Sequence, residues 1–284
     1  MPSPSYVLTL ACTDRPGIVH AVTGNLAEQG ANILDSQQFG DRRDTRFFMR
    51  VHFDVDGTDV AALRSAFSPV AEGLGMDWEL EDASRPCRTL IMVSRFGHCL
   101  NDLLFRQSSG ALPIDVAAVV SNHRDLERLA DTYEVPFHHV PVTPDTKRDA
   151  EQQVLRLVDE LDVDLVVLAR YMQILSDEAS EALSGRTINI HHSFLPSFKG
   201  AKPYHQAFDR GVKLIGATAH YVTAQLDEGP IIEQDVTRVN HRMGPDDMVQ
   251  AGRDVESQVL SRAVRWHAER RLLLDGSRVV VFSA

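Results

Sequence analysis

The 284-residue sequence predicts an α/β protein of two domains. Three observations carry that expectation. Up to Glu81 the strand and helix patterns run in the order βαββαβ. From Thr89 onward near-continuous apolar runs alternate with helical patterns, which means a mostly parallel sheet covered on both faces. Between them lies a polar segment carrying Pro86, which reads as a linker. The expected boundaries are residues 1–83 for the first domain, 84–88 for the linker and 89–284 for the second.

In the first domain Tyr6 to Ala11 is a short apolar strand, and Cys12 to Gly17 turns into a helix. Asp14 is expected to cap that helix, with Pro16 in its first turn, where a missing N–H costs nothing. Ile18, Val22 and Leu26 follow at helical spacing, and Gly30 closes the helix. Ala31 to Gln38 and Arg46 to Phe53 read as strands around a charged turn, Gly40 to Thr45. A helix fits Asp59 to Gly73 and a last strand Asp77 to Glu81. This is a ferredoxin-like sandwich, with helices on one side of an antiparallel sheet. The D-R-P-G-I turn, followed by G-A-N-I-L at the next strand, resembles an ACT domain, a small module that commonly binds amino acids and pairs with a copy of itself. The resemblance implies an amino-acid effector near Asp14, Gly17 and Asn32, and a homo-oligomer. A folding or dimerising module without a ligand is the alternative.

In the second domain strands are expected at Thr89–Ser94, Ile114–Ser121, Phe137–Val142, Asp164–Ala169 and Thr187–His191. Helices are expected at Leu100–Ser108, Arg124–Tyr133 and Lys147–Leu161. Lys213–Val222 and Pro230–Val236 add strands, followed by a long helix Pro245–Leu272 and a terminal strand Arg278–Ser283. The pattern is Rossmann-like.

Composition narrows the function. With 43% hydrophobic and 24% charged residues the chain is an ordinary globular protein. It has no apolar run long enough to span a bilayer and no secretory pattern at its start, so a cytoplasmic protein without a membrane partner is expected. A net charge of −11 argues against a nucleic-acid backbone as main partner. Cys12, Cys87 and Cys99 show no C-x-x-C spacing and read as reduced thiols, Cys99 as a small packed residue. There is no G-x-G-x-x-G, so no dinucleotide is expected.

Two stretches carry chemistry. In T-I-N-I-H-H-S-F-L-P, the period of two puts Ile188 and Ile190 on one face and Asn189 with His191 on the other, at the carboxyl end of a strand. An amide beside an imidazole suits a carbonyl that must become an oxyanion and collapse. In G-A-T-A-H-Y-V, Thr218, His220 and Val222 share a face. The loop beyond carries Asp227 and Glu228, with Gly229 and Pro230 shaping its turn. Adjacent strand residues face opposite ways, so His191 and His192 do not share an ion, and no H-E-x-x-H spacing occurs; no metal is expected. His123, His138 and His139 read as surface or satisfied histidines.

Asn189 with His191, then an Asp in a D-x-G loop after a T-A-H strand, resembles the folate-dependent formyltransferase family. The run V-L-A-R-Y-M-Q-I-L-S, Val167 to Ser176, resembles that family's pteridine-lining segment. The resemblance implies Asn189, His191 and Asp227 as the catalytic triad. It implies Met172, Gln173, Ile174 and Leu175 as the substrate-binding run, and Thr218 and His220 as residues beside the triad. Members that formylate a phosphorylated acceptor carry a glycine-rich anion nest after the first strand. Here that turn is Ser94 to Cys99, with one glycine. Water is therefore the expected nucleophile, and the resemblance is strongest to members that hydrolyse 10-formyltetrahydrofolate to tetrahydrofolate and formate, without a cofactor, in one-carbon metabolism and purine biosynthesis. A formyltransferase using an amine acceptor, or a non-catalytic folate or amino-acid sensor, is the alternative. Lys199 and Lys202 are either partners of a folate glutamate tail or solvated lysines.

Overall fold

The computed structural model describes residues 3–195 and 203–283. Lys199 and Lys202 lie outside the described residues. The chain forms two compact units.

The first unit is built on an antiparallel sheet in the order β2-β3-β1-β4. Its strands are β1 (Ser5–Thr13), β2 (Asn32–Asp41), β3 (Arg46–Asp54) and β4 (Asp77–Asp82). Helices α1 (Ile18–Glu28) and α2 (Val60–Leu74) cover one face. Alternation along β1 and β3 sends Leu8, Leu10, Met49, Val51 and Phe53 into this core, against Ile18, Val22, Leu26, Leu63 and Phe67. Asp59 caps α2 through its carboxylate, which accepts from the Ala62 amide at 2.8 Å. Asp14 does not cap α1. The turn into that helix passes through Gly17 at φ 94°, no side chain caps it, and the Asp14 amide donates instead to the Thr45 carbonyl at 2.8 Å.

The C-terminal boundary also differs from expectation. The long helix ends at Ala268, and Glu269–Asp275 and Val280–Ala284 group with the first unit. Arg50, 3% exposed on β3, holds this return: its guanidinium donates to the Glu269 carbonyl at 3.0 Å and the Arg270 carbonyl at 3.2 Å, and pairs with Asp35 at 2.9 Å. Phe282, Leu273 and Val280 pack on Phe48 and Ala11, the side of the sheet away from the helices. The terminal strand is thus the second arm of a hairpin, β12 (Leu272–Asp275) with β13 (Arg278–Val281).

The second unit holds a seven-stranded sheet in the order β11-β10-β9-β8-β5-β6-β7. The strands are β5 (Cys87–Val93), β6 (Ile114–Ser121), β7 (Phe137–His139), β8 (Leu165–Leu168), β9 (Thr187–His191), β10 (Leu214–Tyr221) and β11 (Ile231–Arg238). The pairs from β7 through β9 are parallel, while β10 runs antiparallel to β9 and β11. Helices α3 (His98–Ser108), α4 (Glu127–Thr132), α5 (Lys147–Glu160) and α8 (Pro245–Ala268) match predicted patterns. Two short helices, α6 (Asp177–Ala182) and α7 (Pro203–Asp209), have no counterpart in the sequence reading, because six or seven residues are too few for a helical period to declare itself. The chain leaves β5 toward β6 and β7 on one side and toward β8 and β9 on the other. The ends of β5 and β8 are therefore a switch point, where such sheets bind ligands. Among the described residues no helix is long and apolar enough to cross a membrane.

Candidate active site

The register of β9 against β10 assembles the site. His191 pairs with Thr218 and Asn189 with His220, so four polar side chains share one face at the carboxyl end of β9. The Asn189 Nδ2 group lies 3.2 Å from His220 Nε2, and His220 Nδ1 lies 2.8 Å from the Tyr221 carbonyl. A carbonyl only accepts, so Nδ1 carries the imidazole proton and Nε2 accepts from the Asn189 amide. Burial pushes the His220 pKa down, which keeps the ring in this neutral form. One Asn189 N–H is fixed on the ring, and the second is left for another acceptor.

Asp227 arrives from the loop after β10. It sits at φ 57°, a left-handed conformation that Asp tolerates better than most residues. Gly229 packs so tightly that a Cβ there would fall 1.8 Å from the Tyr221 carbonyl oxygen, so only glycine lets the loop close against β10. The closure puts Asp227 Oδ1 3.1 Å from His191 Nδ1 and 3.8 Å from His220 Nε2. Burial pushes the Asp227 carboxyl up, but the hydrogen bond from His191 and the electrostatic pull of the surrounding histidines outweigh it and hold the group below its ordinary range. The amide, imidazole and carboxylate foreseen from two separate segments thus converge.

These three residues line a cavity of about 670 Å³. Met172, Gln173, Ile174 and Leu175 form another wall, with Met172 and Ile174 more than half exposed, as is Leu226 across the mouth. Exposed apolar side chains rimming a polar centre suit a flat, largely apolar ligand that covers them. His220 also lines the cavity, whereas Thr218 does not: its hydroxyl donates to the Ser193 carbonyl at 3.0 Å and accepts from the Leu195 amide at 3.1 Å, so it shapes the turn after His191. In the first unit Asp14 and Gly17 share one exposed turn and Asn32 starts β2, also exposed.

A Formyl transferase family profile matches residues 87–264, and an ACT domain profile matches residues 6–81. The formyltetrahydrofolate deformylase of Corynebacterium sp. (strain P-1) is 55% identical over 278 residues, 97% of this chain and 97% of that protein. The chain belongs to the formyltetrahydrofolate deformylase family. The deformylase of Bacillus subtilis is 46% identical over 279 residues, 97% of this chain and 93% of its own length. The crystal structure of a formyltetrahydrofolate deformylase from Pseudomonas syringae pv. tomato superimposes with a TM-score of 0.97 at 48% identity, covering 100% of this chain and 96% of that one.

In and behind the cavity wall stand further residues, most of which sequence reasoning missed. Ser94, after β5, donates to Asn122 Oδ1 at 2.7 Å and accepts from the Met172 amide at 2.9 Å, pinning the start of the 172–175 run. Glu256 on α8 is buried and accepts from Tyr204 Oη at 2.6 Å and His98 Nε2 at 2.7 Å. Burial pushes the Glu256 carboxyl up, but the His98 hydrogen bond, with Arg170 and Tyr204, brings it below the usual value, so it is ionised. His192 stacks on His191 at 5.1 Å between ring centroids; its own burial, then Arg170 and His191, lower its pKa to about 4. Ser94, His98, Tyr204 and Glu256 stand far apart in sequence, and no local pattern marks them, whereas His192 directly follows His191.

Proposed function

We propose that the chain hydrolyses 10-formyltetrahydrofolate to tetrahydrofolate and formate. The observation that carries this reading is the meeting of Asn189, His191 and Asp227 beside the apolar-rimmed cavity. Water adds to the formyl carbon, the bond from that carbon to N10 breaks, the nitrogen takes a proton, and formic acid leaves as formate with one proton released. The free N–H of Asn189 donates to the growing oxyanion, an interaction whose loss typically costs about 2.7–4 kcal/mol. Asp227, held ionised, orients the water and passes its proton toward the leaving nitrogen. His191, with Nδ1–H on Asp227, leaves Nε2 as a proton acceptor, which once protonated donates to the oxyanion or passes the proton on. The exposed apolar side chains of Met172 and Ile174 receive the pterin face, with Gln173 and Leu175 beside them.

The family supports a place in one-carbon metabolism and purine biosynthesis, in the cytoplasm. Residues 6–81, which match the ACT profile, would hold an amino-acid effector at Asp14, Gly17 and Asn32 and pair with a second copy. Edge strand β2 favours such pairing, since Ile33, Leu34 and Phe39 are exposed along it.

The deciding experiment incubates the full chain with 10-formyltetrahydrofolate and no amine, following tetrahydrofolate and formate together. Equal release of both is expected. Tetrahydrofolate appearing only when an amine is supplied, with the formyl group on the amine and no formate, would reassign the chain as a transferase.

A further inference from the structure

Arg170 is the least explained group in the second unit. It follows β8 at φ 66°, an unfavourable conformation for a long side chain, and its side chain is only 10% exposed. Among the described residues its Nε and Nη1 are buried without hydrogen-bond partners, and the carboxylate oxygen Glu256 Oε2 stands 3.5 Å from Nε. That oxygen already accepts from His98, and the other Glu256 oxygen accepts from Tyr204. Unmade hydrogen bonds on a buried guanidinium are costly, and a purely structural arginine would have satisfied them.

Arg253, on α8, lies with Arg170 around one ring: their Cζ atoms stand 5.2 Å and 5.4 Å from the centroid of Phe96. Both arginines, Phe96 and Glu256 line the cavity that holds Asn189, His191 and Asp227. The cluster has two guanidinium charges and one carboxylate, so at least one positive charge is left over. His192 spans the gap, stacked on His191 on one side and 6.5 Å from the Tyr204 ring on the other.

We propose that Arg170, seconded by Arg253, forms a subsite for a small carboxylate that receives formate as the carbon–nitrogen bond breaks. The inference deepens the hydrolytic reading and rests on it. A guanidinium fork matches a carboxylate in shape, and in a desolvated pocket its hydrogen bonds to an anion are strong. The neutral formyl group has little call on such a site. Once water has added and nitrogen has left, the product carries a full charge and two equivalent oxygens, so the pair binds product better than substrate. It draws the cleaved carbon away from the nitrogen that would recapture it.

The test titrates sodium formate into the full-length protein without folate, by calorimetry, with formamide as a neutral probe of the same size and glutamate as a larger carboxylate. Formate is expected to bind and formamide not. Arg170→Gln should weaken formate by roughly ten-fold or more, the loss expected for a charge-assisted hydrogen bond, and Arg170→Lys should restore part of it. If the Arg170 variants do not fold, Arg253→Gln decides, with a several-fold weakening expected. Formate binding equally well to wild type and every folded variant, or no better than formamide, overturns the assignment. Arg170-dependent binding of glutamate but not of formate overturns it too, placing the substrate's tail there instead. The titration involves no turnover, so absence of formate release in the folate assay condemns the hydrolytic reading separately.

Discussion

His191 Nδ1 stands 3.1 Å from Asp227 Oδ1, joining the end of β9 to a loop 36 residues further on (227 − 191). His191 is buried and Asp227 is partly buried. Such a contact between a loop and a strand end in a cavity wall positions chemistry more than it stabilises the fold.

Asp227→Asn tests that directly. Asparagine keeps the shape and also accepts a positive φ, so the loop should hold. What is lost is a charge and a proton acceptor. Formate release should fall by about 10²–10⁴-fold, with the thermal midpoint nearly unchanged. Release at the parental rate would remove Asp227 from the mechanism.

In the proposed mechanism His220 acts through Asn189. With its ring fixed by the Tyr221 carbonyl, its Nε2 anchors one amide hydrogen and so aims the other. His220→Phe should lower kcat by about ten-fold while leaving KM within a factor of two or so, since the lost interaction serves the transition state. Asn189→Ala should cost about 10²–10³-fold by itself. Adding it to His220→Phe should cost less than the product of the two, because the anchor has nothing left to aim. Strictly multiplicative losses would refute the coupling.

Gly229→Ala should be disruptive out of proportion to one methyl group. Its Cβ would meet the Tyr221 carbonyl oxygen at 1.8 Å, and backbone cannot swing aside as a side-chain tip does. Overpacking of this kind costs about 1–3 kcal/mol, and here it also moves Asp227. A lower urea midpoint together with loss of turnover is expected; a variant of wild-type stability and rate would show that the loop closes otherwise.

How much of this was legible beforehand depended on sequence distance. Asn189 and His191 declare themselves because a strand's period of two is local, and Asp227 because D-x-G-P is a turn with a carboxylate on it. The doubly covered sheet was legible for a similar reason, since buried parallel strands are apolar on both faces. Arg170, Tyr204 and Glu256 were not, because what relates them is tertiary packing across three elements. In the sequence Arg50 is one more strand residue, and only the fold shows its hydrogen bonds to the Glu269 and Arg270 carbonyls, which return the chain's end to the first unit. Asp14 failed as a cap for a nearer reason. The left-handed turn at Gly17 takes the backbone out of line with a side chain three residues earlier.

The stacked pair His191–His192 gives a prediction in pH. His192 has its pKa lowered to about 4 by burial first, then by Arg170 and His191, with Glu256 and Asp227 opposing. Between that value and an ordinary histidine's, near 6.5, the unfolded chain binds a proton that the folded chain refuses. Stability tied to neutral His192 is therefore full above about pH 6.5 and is lost as the pH falls toward about 4. The loss is on the order of a few kcal/mol. Urea unfolding at about pH 7.5 and about pH 5 should show wild type losing more of its midpoint than His192→Gln, which has no imidazole to protonate there. His52 and His220, also lowered by burial, titrate in both proteins, so the comparison isolates residue 192. Equal losses in the two proteins would mean that His192 meets water in the folded state.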